Sequence, residues 1–206
     1  MNYADYTNDG NTPLMYAAEG AHVIATNVLL GLKADIHSVN THGKTALHIA
    51  ADDLSVIEEL LFNHANVNSQ DCKGNSSLMY LVSESGNEDA IKALINASSA
   101  AVNMQNNSGN SVLGFAVVHG ILPATQILIA AGALIDTANI DGNTVLMLAA
   151  HLKDLDAVQM LLNAKADVNV MNKDEKMAWA LVPCDPVNEG LIELLLPPIR
   201  AYVDLY

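Results

Sequence analysis

The sequence contains few aromatic residues, and basic residues are outnumbered by acidic ones. Phe, Trp and Tyr make up 4% of the 206 residues although 51% are hydrophobic, which favours thin helical layers packed through Ala, Leu, Val and Ile. Nine basic against 23 acidic residues give a net charge of −14, so a phosphate backbone is repelled and a basic protein surface is attracted. We therefore expect a protein partner, with a basic surface as one form of it, and no nucleic acid.

Cysteine and long apolar runs are scarce as well. Cys72 and Cys184 fall in different copies of the repeated segment described below, and in an extended stack of such copies a disulfide between them is improbable, which is compatible with a reducing compartment. No apolar run approaches the roughly 20 residues that span a bilayer, and the residues after Met1 do not resemble a signal peptide. We expect a cytoplasmic chain without membrane association, with secretion as an effector as the alternative.

Catalytic and cofactor-binding motifs are missing too. The sequence has no recognisable nucleophile constellation, glycine-rich phosphate loop or paired Cys-x-x-Cys. His119 and His151 are candidates to approach each other, but a metal site needs at least a third ligand. We predict a protein that is not an enzyme and that holds no cofactor or metal.

One segment recurs six times along the chain. Clear copies are 9–18 (DGNTPLMYAA), 42–51 (HGKTALHIAA) and 141–150 (DGNTVLMLAA), with weaker copies around Gly74, Gly109 and Glu175. The turn residues of successive copies are 33, 31, 35, 33 and 33 residues apart. A period near 33 indicates a stack of short supersecondary units that bury a core between neighbours.

This motif and period resemble the ankyrin repeat, in which each unit is a β-turn followed by two antiparallel helices. The resemblance implies an all-α ankyrin-repeat solenoid of about six repeats, which we treat as a single domain over residues 1–206. The predicted repeats are 7–39, 40–70, 71–105, 106–138, 139–171 and 172–206.

Local signals add detail to this prediction. Thr12 is predicted to cap the first helix, with Pro13 at its first position. In the family, the imidazole at the position of His48 ties neighbouring turns together, so we expect a structural histidine. The residues that end the second helices are predicted to be left-handed, a conformation that favours glycine. They are Lys33, His64, Gly132 and Lys165.

The two ends of the array depart from the pattern. The second helix of repeat one, predicted near 22–32, carries Ile24 and Val28 on a side that terminal repeats usually keep polar. Partial exposure, a dimer contact and absent upstream sequence are the three readings, and we expect a monomer with the N-terminal dimer as the alternative. In repeat six Glu175 replaces the turn glycine, and Trp179 is predicted to pack against repeat five as a C-terminal cap.

The family resemblance implies that a partner binds the concave face formed by the turn tips and the first helices. The tips include Asp9 and Asn11, and the ends of the first helices include Glu19 and Glu84. We place the binding centre on repeats four and five, where the face is least charged and apolar groups point outward. The partner-binding candidates are Val118, His119, Ile140, Asp141, Asn143, His151, Leu152, His42, Lys44, Lys73, Ser108 and Asn110.

Two non-catalytic functions are compatible with such an array, and an enzyme with an unrecognised site is the third hypothesis. The first is a non-catalytic scaffold that binds one partner protein. The second is an adaptor or secreted effector that brings a target to other machinery, for example a ubiquitin ligase. Residues 195–202 (LLPPIRAY) are similar to the tail of the SOCS box, although Leu181 stands three residues before Cys184 where that box has four, and prolines that end a helix also explain the segment.

Overall fold

The computed structural model describes residues 9–50, 53–183 and 188–196. Helices run from Pro13–Glu19 (α1), Val23–Gly31 (α2), Ala46–Ile49 (α3), Leu54–Phe62 (α4), Ser77–Glu84 (α5), Glu88–Ala97 (α6), Val112–Val118 (α7), Leu122–Ala130 (α8), Val145–Leu152 (α9), Leu155–Asn163 (α10) and Glu189–Leu195 (α11). Two 3₁₀ turns cover Ser99–Asn103 and Ala178–Leu181. Within these described ranges there is no β-sheet, only isolated bridges such as Gln70 with Ser76. The predicted all-α class is confirmed.

The chain divides into two compact units, Met1–Ala133 and Leu134–Tyr206. The first contains α1 to α8, and the second contains α9 to α11. In the first unit, each second helix packs against the second helix of the next repeat, so that α2 contacts α4, α4 contacts α6 and α6 contacts α8. No helix in the described ranges is both long enough and apolar enough to cross a membrane.

Each first helix starts at a hydroxyl residue because the side-chain oxygen satisfies a backbone N–H that has no partner in the helix. The Thr12 hydroxyl accepts from the Met15 N–H at 3.3 Å, and Pro13 takes the first helical position. Ser76, Ser111 and Thr144 cap α5, α7 and α9 in the same way. The predicted cap at Thr12 is confirmed, and it fixes the direction in which each first helix leaves its turn.

The core is built from the residue two positions after each cap. Leu14, Leu47, Leu78, Leu113 and Leu146 occupy this position in repeats one to five and are all buried. They are joined by the second-helix residues Ile57, Leu94 and Leu128, which are buried as well. Leucine at a constant place in the motif therefore supplies the apolar burial that holds each helix pair together.

Repeat six does not follow this plan, although the 3₁₀ turn that contains Trp179 packs against α9 of repeat five, as predicted. Trp179 keeps 38% of its surface exposed, whereas Ala178 beside it is buried. A 3₁₀ turn stands in place of the first helix, and Met177 at its N-cap offers no side-chain cap. Glu175 keeps the positive φ of the turn glycine, at 59°. Cys184 lies outside the described residues, as do residues 197–206.

Repeat three is two residues longer than the period of 33. One of the extra residues lies between α5 and α6, where Gly86 has φ 66°. The other lengthens α6, which has ten residues where α2, α4, α8 and α10 have nine. The longer repeat therefore keeps helices that stack on their neighbours.

The ends of the second helices have the predicted left-handed backbone. The φ angles are 65° at Lys33, 65° at His64, 87° at Gly132 and 70° at Lys165. A side chain costs about 1 kcal/mol in this conformation because its Cβ approaches the following carbonyl. Three of these four ends therefore carry strain that glycine would remove.

We predict that Lys33→Gly and Lys165→Gly each stabilise the protein by up to about 0.5 kcal/mol, since relief of about 1 kcal/mol of strain is partly offset by the entropy cost of glycine. Gly132→Ala is expected to destabilise it by about 1 kcal/mol. A Cβ at Gly132 meets nothing within 4 Å, so this loss comes from the backbone alone. Chemical denaturation of each variant measures the change.

Gly31 provides the matched control for these substitutions. Gly31 also has open space around an added Cβ, but it is the last residue of α2. Gly31→Ala should therefore stabilise the protein by about 0.5 kcal/mol. Stabilisation by Gly132→Ala, or destabilisation by both lysine substitutions, would contradict this account of the helix ends.

Candidate functional site

The turns between repeats are held by an Asn or Asp side chain that replaces missing backbone partners. In the second turn, Asn40 Oδ1 accepts from the N–H groups of His42 and Lys44 at 3.0 and 2.9 Å. The backbone N–H of Asn40 also donates to the Lys44 carbonyl at 3.0 Å. The same side-chain geometry is built by Asp71, Asn106, Asn139 and Asn172. A short polar side chain thus gives every one of these tips a fixed shape.

Within each unit, one backbone hydrogen bond ties a turn to the turn before it. Thr41 N–H donates to the Asp9 carbonyl at 2.9 Å, and Cys72 N–H donates to the His42 carbonyl at 3.0 Å. Asn107 does the same toward Lys73, and Lys173 toward Asp141, both at 3.0 Å. We call this series the turn ladder.

Amide side chains reinforce the turn ladder. Asn40 Nδ2 donates to Asn11 Oδ1 at 2.8 Å, and Asn106 Nδ2 donates to Asn75 Oδ1 at 2.9 Å. In the second unit, Asn172 Nδ2 donates to Asn143 Oδ1 at 2.7 Å. The candidate Asn143 therefore has a structural role, because its side-chain oxygen is used inside the protein.

The turn at Asp71 is built differently because a carboxylate has no amide N–H to donate. The Tyr80 hydroxyl donates to Asp71 Oδ2 at 2.6 Å. Burial by itself would raise the pKa of Asp71, but the hydrogen bonds from Tyr80, Asn75 and Lys73 outweigh it and the pKa is lowered. Lys44 Nζ lies 3.9 Å from the centre of the Tyr80 ring, a cation–π geometry. This contact holds the candidate Lys44 in place beside the second turn.

His48 lies beneath these residues and joins repeats two and three. Its Nδ1 is 2.9 Å from the Thr45 hydroxyl, and its Nε2 is 3.2 Å from the Asn75 carbonyl oxygen. Burial lowers the pKa of His48, although the Asn75 carbonyl and the charge of Asp71 act in the opposite direction. The prediction of a structural histidine that ties adjacent turns is confirmed.

A groove opens in the first unit between the tips of repeats one and two and the first helices. Its volume is about 310 Å³. The lining is polar and comprises Asp9, Asn11, Glu19, Asn40, His42, Lys44, His48, Ile49 and Glu84. Three of these residues are carboxylates, and His42 Nε2 lies 3.3 Å from one of them, Asp9 Oδ1. We call this feature the acidic groove.

The other candidates of the first unit lie along the tips and at the end of α7. Lys73 and Ser108 are exposed tip residues, and Asn110 closes the turn that Asn106 organises. Val118 is the exposed last residue of α7, and His119 caps it with its ring 6.1 Å from that of Phe115. Of all twelve candidates, the acidic groove includes His42 and Lys44.

The candidates of the second unit are also at its surface. Ile140 and Asp141 are exposed at the tip of the fifth turn, and His151 and Leu152 are exposed at the end of α9. Lys153 follows Leu152 in a left-handed conformation with φ 60°, which ends the helix. The apolar side chains of Ile140 and Leu152 are therefore exposed to solvent, as the sequence predicts.

The side chains of the described residues do not form a cluster of three or more His, Cys, Asp or Glu that could hold a metal ion. Cys72 is a free, exposed thiol in the third turn. Its backbone is held on both sides, since its N–H donates to His42 and its carbonyl accepts from Asn107 Nδ2 at 3.0 Å.

A comparison with known families identifies the chain. The family description "Ankyrin repeats (3 copies)" matches residues 2–71, 52–139 and 78–172. The chain therefore belongs to the ankyrin repeat family, a class of non-enzymatic modules that generally mediate protein–protein interaction.

The chain is also similar to parts of individual proteins. The chain is 29% identical to mouse Rabankyrin-5 over 125 residues, which cover 59% of this chain and 11% of that protein. It is 43% identical to the human and mouse neurogenic locus notch homolog protein 2 over 68 residues, which cover 32% of this chain and 3% of those proteins. The chain thus spans a small part of the relatives it matches.

We predict that acid destabilises the protein partly through His48. The folded-state pKa is below the unfolded value of about 6.5, so the unfolded chain takes up the proton first. The stabilisation that the neutral His48 ring contributes to the folded state is fully present above the unfolded-state pKa of about 6.5. It is lost as the pH falls from there through the folded-state pKa. The melting temperature should therefore drop less between pH 7 and pH 5 in His48→Gln than in the wild type.

Glutamine is chosen because it can also bond back to the Thr45 N–H from the third helical position. The control is His37→Gln, which removes an exposed ring. The wild type and both variants contain the same Asp and Glu residues. A difference between them in how the melting temperature changes with pH is therefore due to the substituted histidine. Equal slopes in the wild type and His48→Gln would contradict the assignment.

Proposed function

We propose that the chain is a non-catalytic scaffold that binds a partner protein on the face formed by turn tips and first helices. The observation that carries the proposal is the turn ladder, which fixes the tips before any partner arrives. A preformed surface loses little conformational entropy on docking, so more of the contact energy appears as affinity. The ankyrin family supports the same role.

We infer further that the acidic groove receives a basic segment of that partner. Asp9, Glu19 and Glu84 contribute three carboxylates to its lining, against Lys44 as the fixed cation. A chain of net charge −14 attracts such a segment from a distance and repels nucleic acid. Arginine or lysine side chains in a groove of this size make charge-assisted hydrogen bonds with the carboxylates.

The exposed apolar residues of the second unit are the alternative binding centre. Ile140 and Leu152 gain burial energy when a partner covers them, about 25 cal/mol per Å² before the costs of association. Val118 of the first unit has the same property at its own helix end. Charge favours the groove and apolar burial favours these residues, so the experiment must compare the two.

The cellular compartment that we propose for this scaffold is based on the Cys72 thiol and on the sequence. An exposed free thiol at Cys72 is compatible with a reducing compartment such as the cytoplasm. The adaptor alternative is motivated by residues 195–202, of which 197–202 lie outside the described residues. The scaffold therefore remains the function that we propose.

The test begins with a pulldown that identifies a partner, followed by measured dissociation constants for charge-reversal variants. Glu19→Lys and Glu84→Lys should each weaken binding about tenfold or more, because each removes an attractive charge and adds a repulsive one. Glu58→Lys on the exposed side of α4 is the matched control and should leave affinity within about twofold. The loss should shrink as salt is added.

Dissociation constants of further variants test whether the partner binds the exposed apolar residues of the second unit instead. Ile140→Asp and Leu152→Asp test the second unit, with Leu155→Asp as the control in a second helix. Leu152 and Leu155 are 47% and 52% exposed, so the two changes are similar in burial. If the first two variants lose affinity while Glu19→Lys and Glu84→Lys keep it, the acidic groove is not the site.

A further inference from the structure

The first repeat leaves uncovered the positions that later repeats bury. Ala25, the third residue of α2, is exposed. The same position is occupied in α4, α6 and α8 by Val56, Ala90 and Ala124, all of which are fully buried. These helices each pack against the second helix of the repeat before them. Exposure of Ala25 therefore marks a surface shaped to receive a helix.

Two more positions show the same difference. Leu29 is only partly buried, whereas its counterparts Leu60, Leu94 and Leu128 are at most 1% exposed. On the first helix, Pro13 is exposed while Ala46 and Ser77 are buried in its place. The greater exposure of repeat one, compared with the later repeats, therefore extends from α2 to α1.

A row of larger apolar side chains adjoins this surface. Ile24, Val28 and Leu32 follow at intervals of four residues and are exposed, with Ile24 at 83%. Seven of the nine residues of α2 are apolar or glycine, and the two polar ones are Thr26, which is buried, and Asn27, which donates to Glu59 of α4 at 3.1 Å. We call Pro13, Ile24, Ala25, Val28, Leu29 and Leu32 the end face.

Charge restricts what can cover the end face. Val23–Gly31 contains no ionisable residue, in a chain whose net charge is −14. Two copies repel each other through most of their surfaces, and the repulsion is weakest where two uncharged helices meet. A second copy presented through the same face also satisfies the symmetry that most dimers adopt, in which one patch pairs with itself.

We propose that two copies of the chain associate through their end faces, with α2 packed against α2 of the other copy about a two-fold axis. The contact is small. A nine-residue helix is about 14 Å long, so the area falls below the roughly 800 Å² per partner of a standard interface. The dimer is therefore weak and depends on protein concentration. The proposal does not rest on the acidic groove.

Sedimentation velocity over a concentration series tests the proposal. The wild type should change from monomer to dimer as the concentration rises, and added salt should favour the dimer by screening the repulsion between acidic copies. Ile24→Glu and Val28→Glu place charges in the centre of the contact and should keep the chain monomeric at every concentration. Circular dichroism confirms that the variants remain folded.

Phe62→Glu is the matched control, because Phe62 is 80% exposed on α4 and lies outside the end face. This variant should dimerise like the wild type. A wild type that is monomeric throughout the series would overturn the proposal, and so would association that Ile24→Glu leaves intact. Species larger than a dimer would also overturn it, since they indicate head-to-tail stacking instead of a two-fold contact.

Discussion

The turn ladder is the constraint on which the rest of each unit depends. A backbone N–H at each tip must find a partner, and it finds the carbonyl of the preceding turn. Because the Asn or Asp side chain has already fixed the shape of the tip, this single bond also fixes the distance between neighbouring first helices. The acidic groove exists because Asp9, Asn40 and Lys44 are held in register in this way.

Much of the fold can be predicted from the sequence because its determinants are local. Thr12 and Pro13 identify the start of a helix, and a left-handed residue follows four of the second helices, whether it is Gly132 or Lys33. These features depend on three or four neighbouring residues. A period near 33 then extends them along the chain, so an error in one weak repeat does not spread.

The features that could not be predicted depend on residues from different repeats. Glu19 and Glu84 are identifiable as ends of first helices, yet their shared groove appears only when three repeats are stacked. The pairing of Tyr80 with Asp71 and Lys44 replaces an amide contact by a combination that no motif describes. Trp179 stands where repeats one to five have a buried leucine but keeps 38% of its surface exposed, so the motif predicts its place in the repeat and not the extent of its burial.

The most direct measurement is native-state hydrogen exchange of four backbone amides that donate in the turn ladder. These belong to Thr41, Cys72, Asn107 and Lys173, all of which are exposed residues. If the ladder holds the tips before a partner binds, their amides should exchange far more slowly than those of an unstructured peptide, despite the exposure of their side chains. Exchange at the unstructured rate in the folded protein would contradict the claim that these tips are preformed.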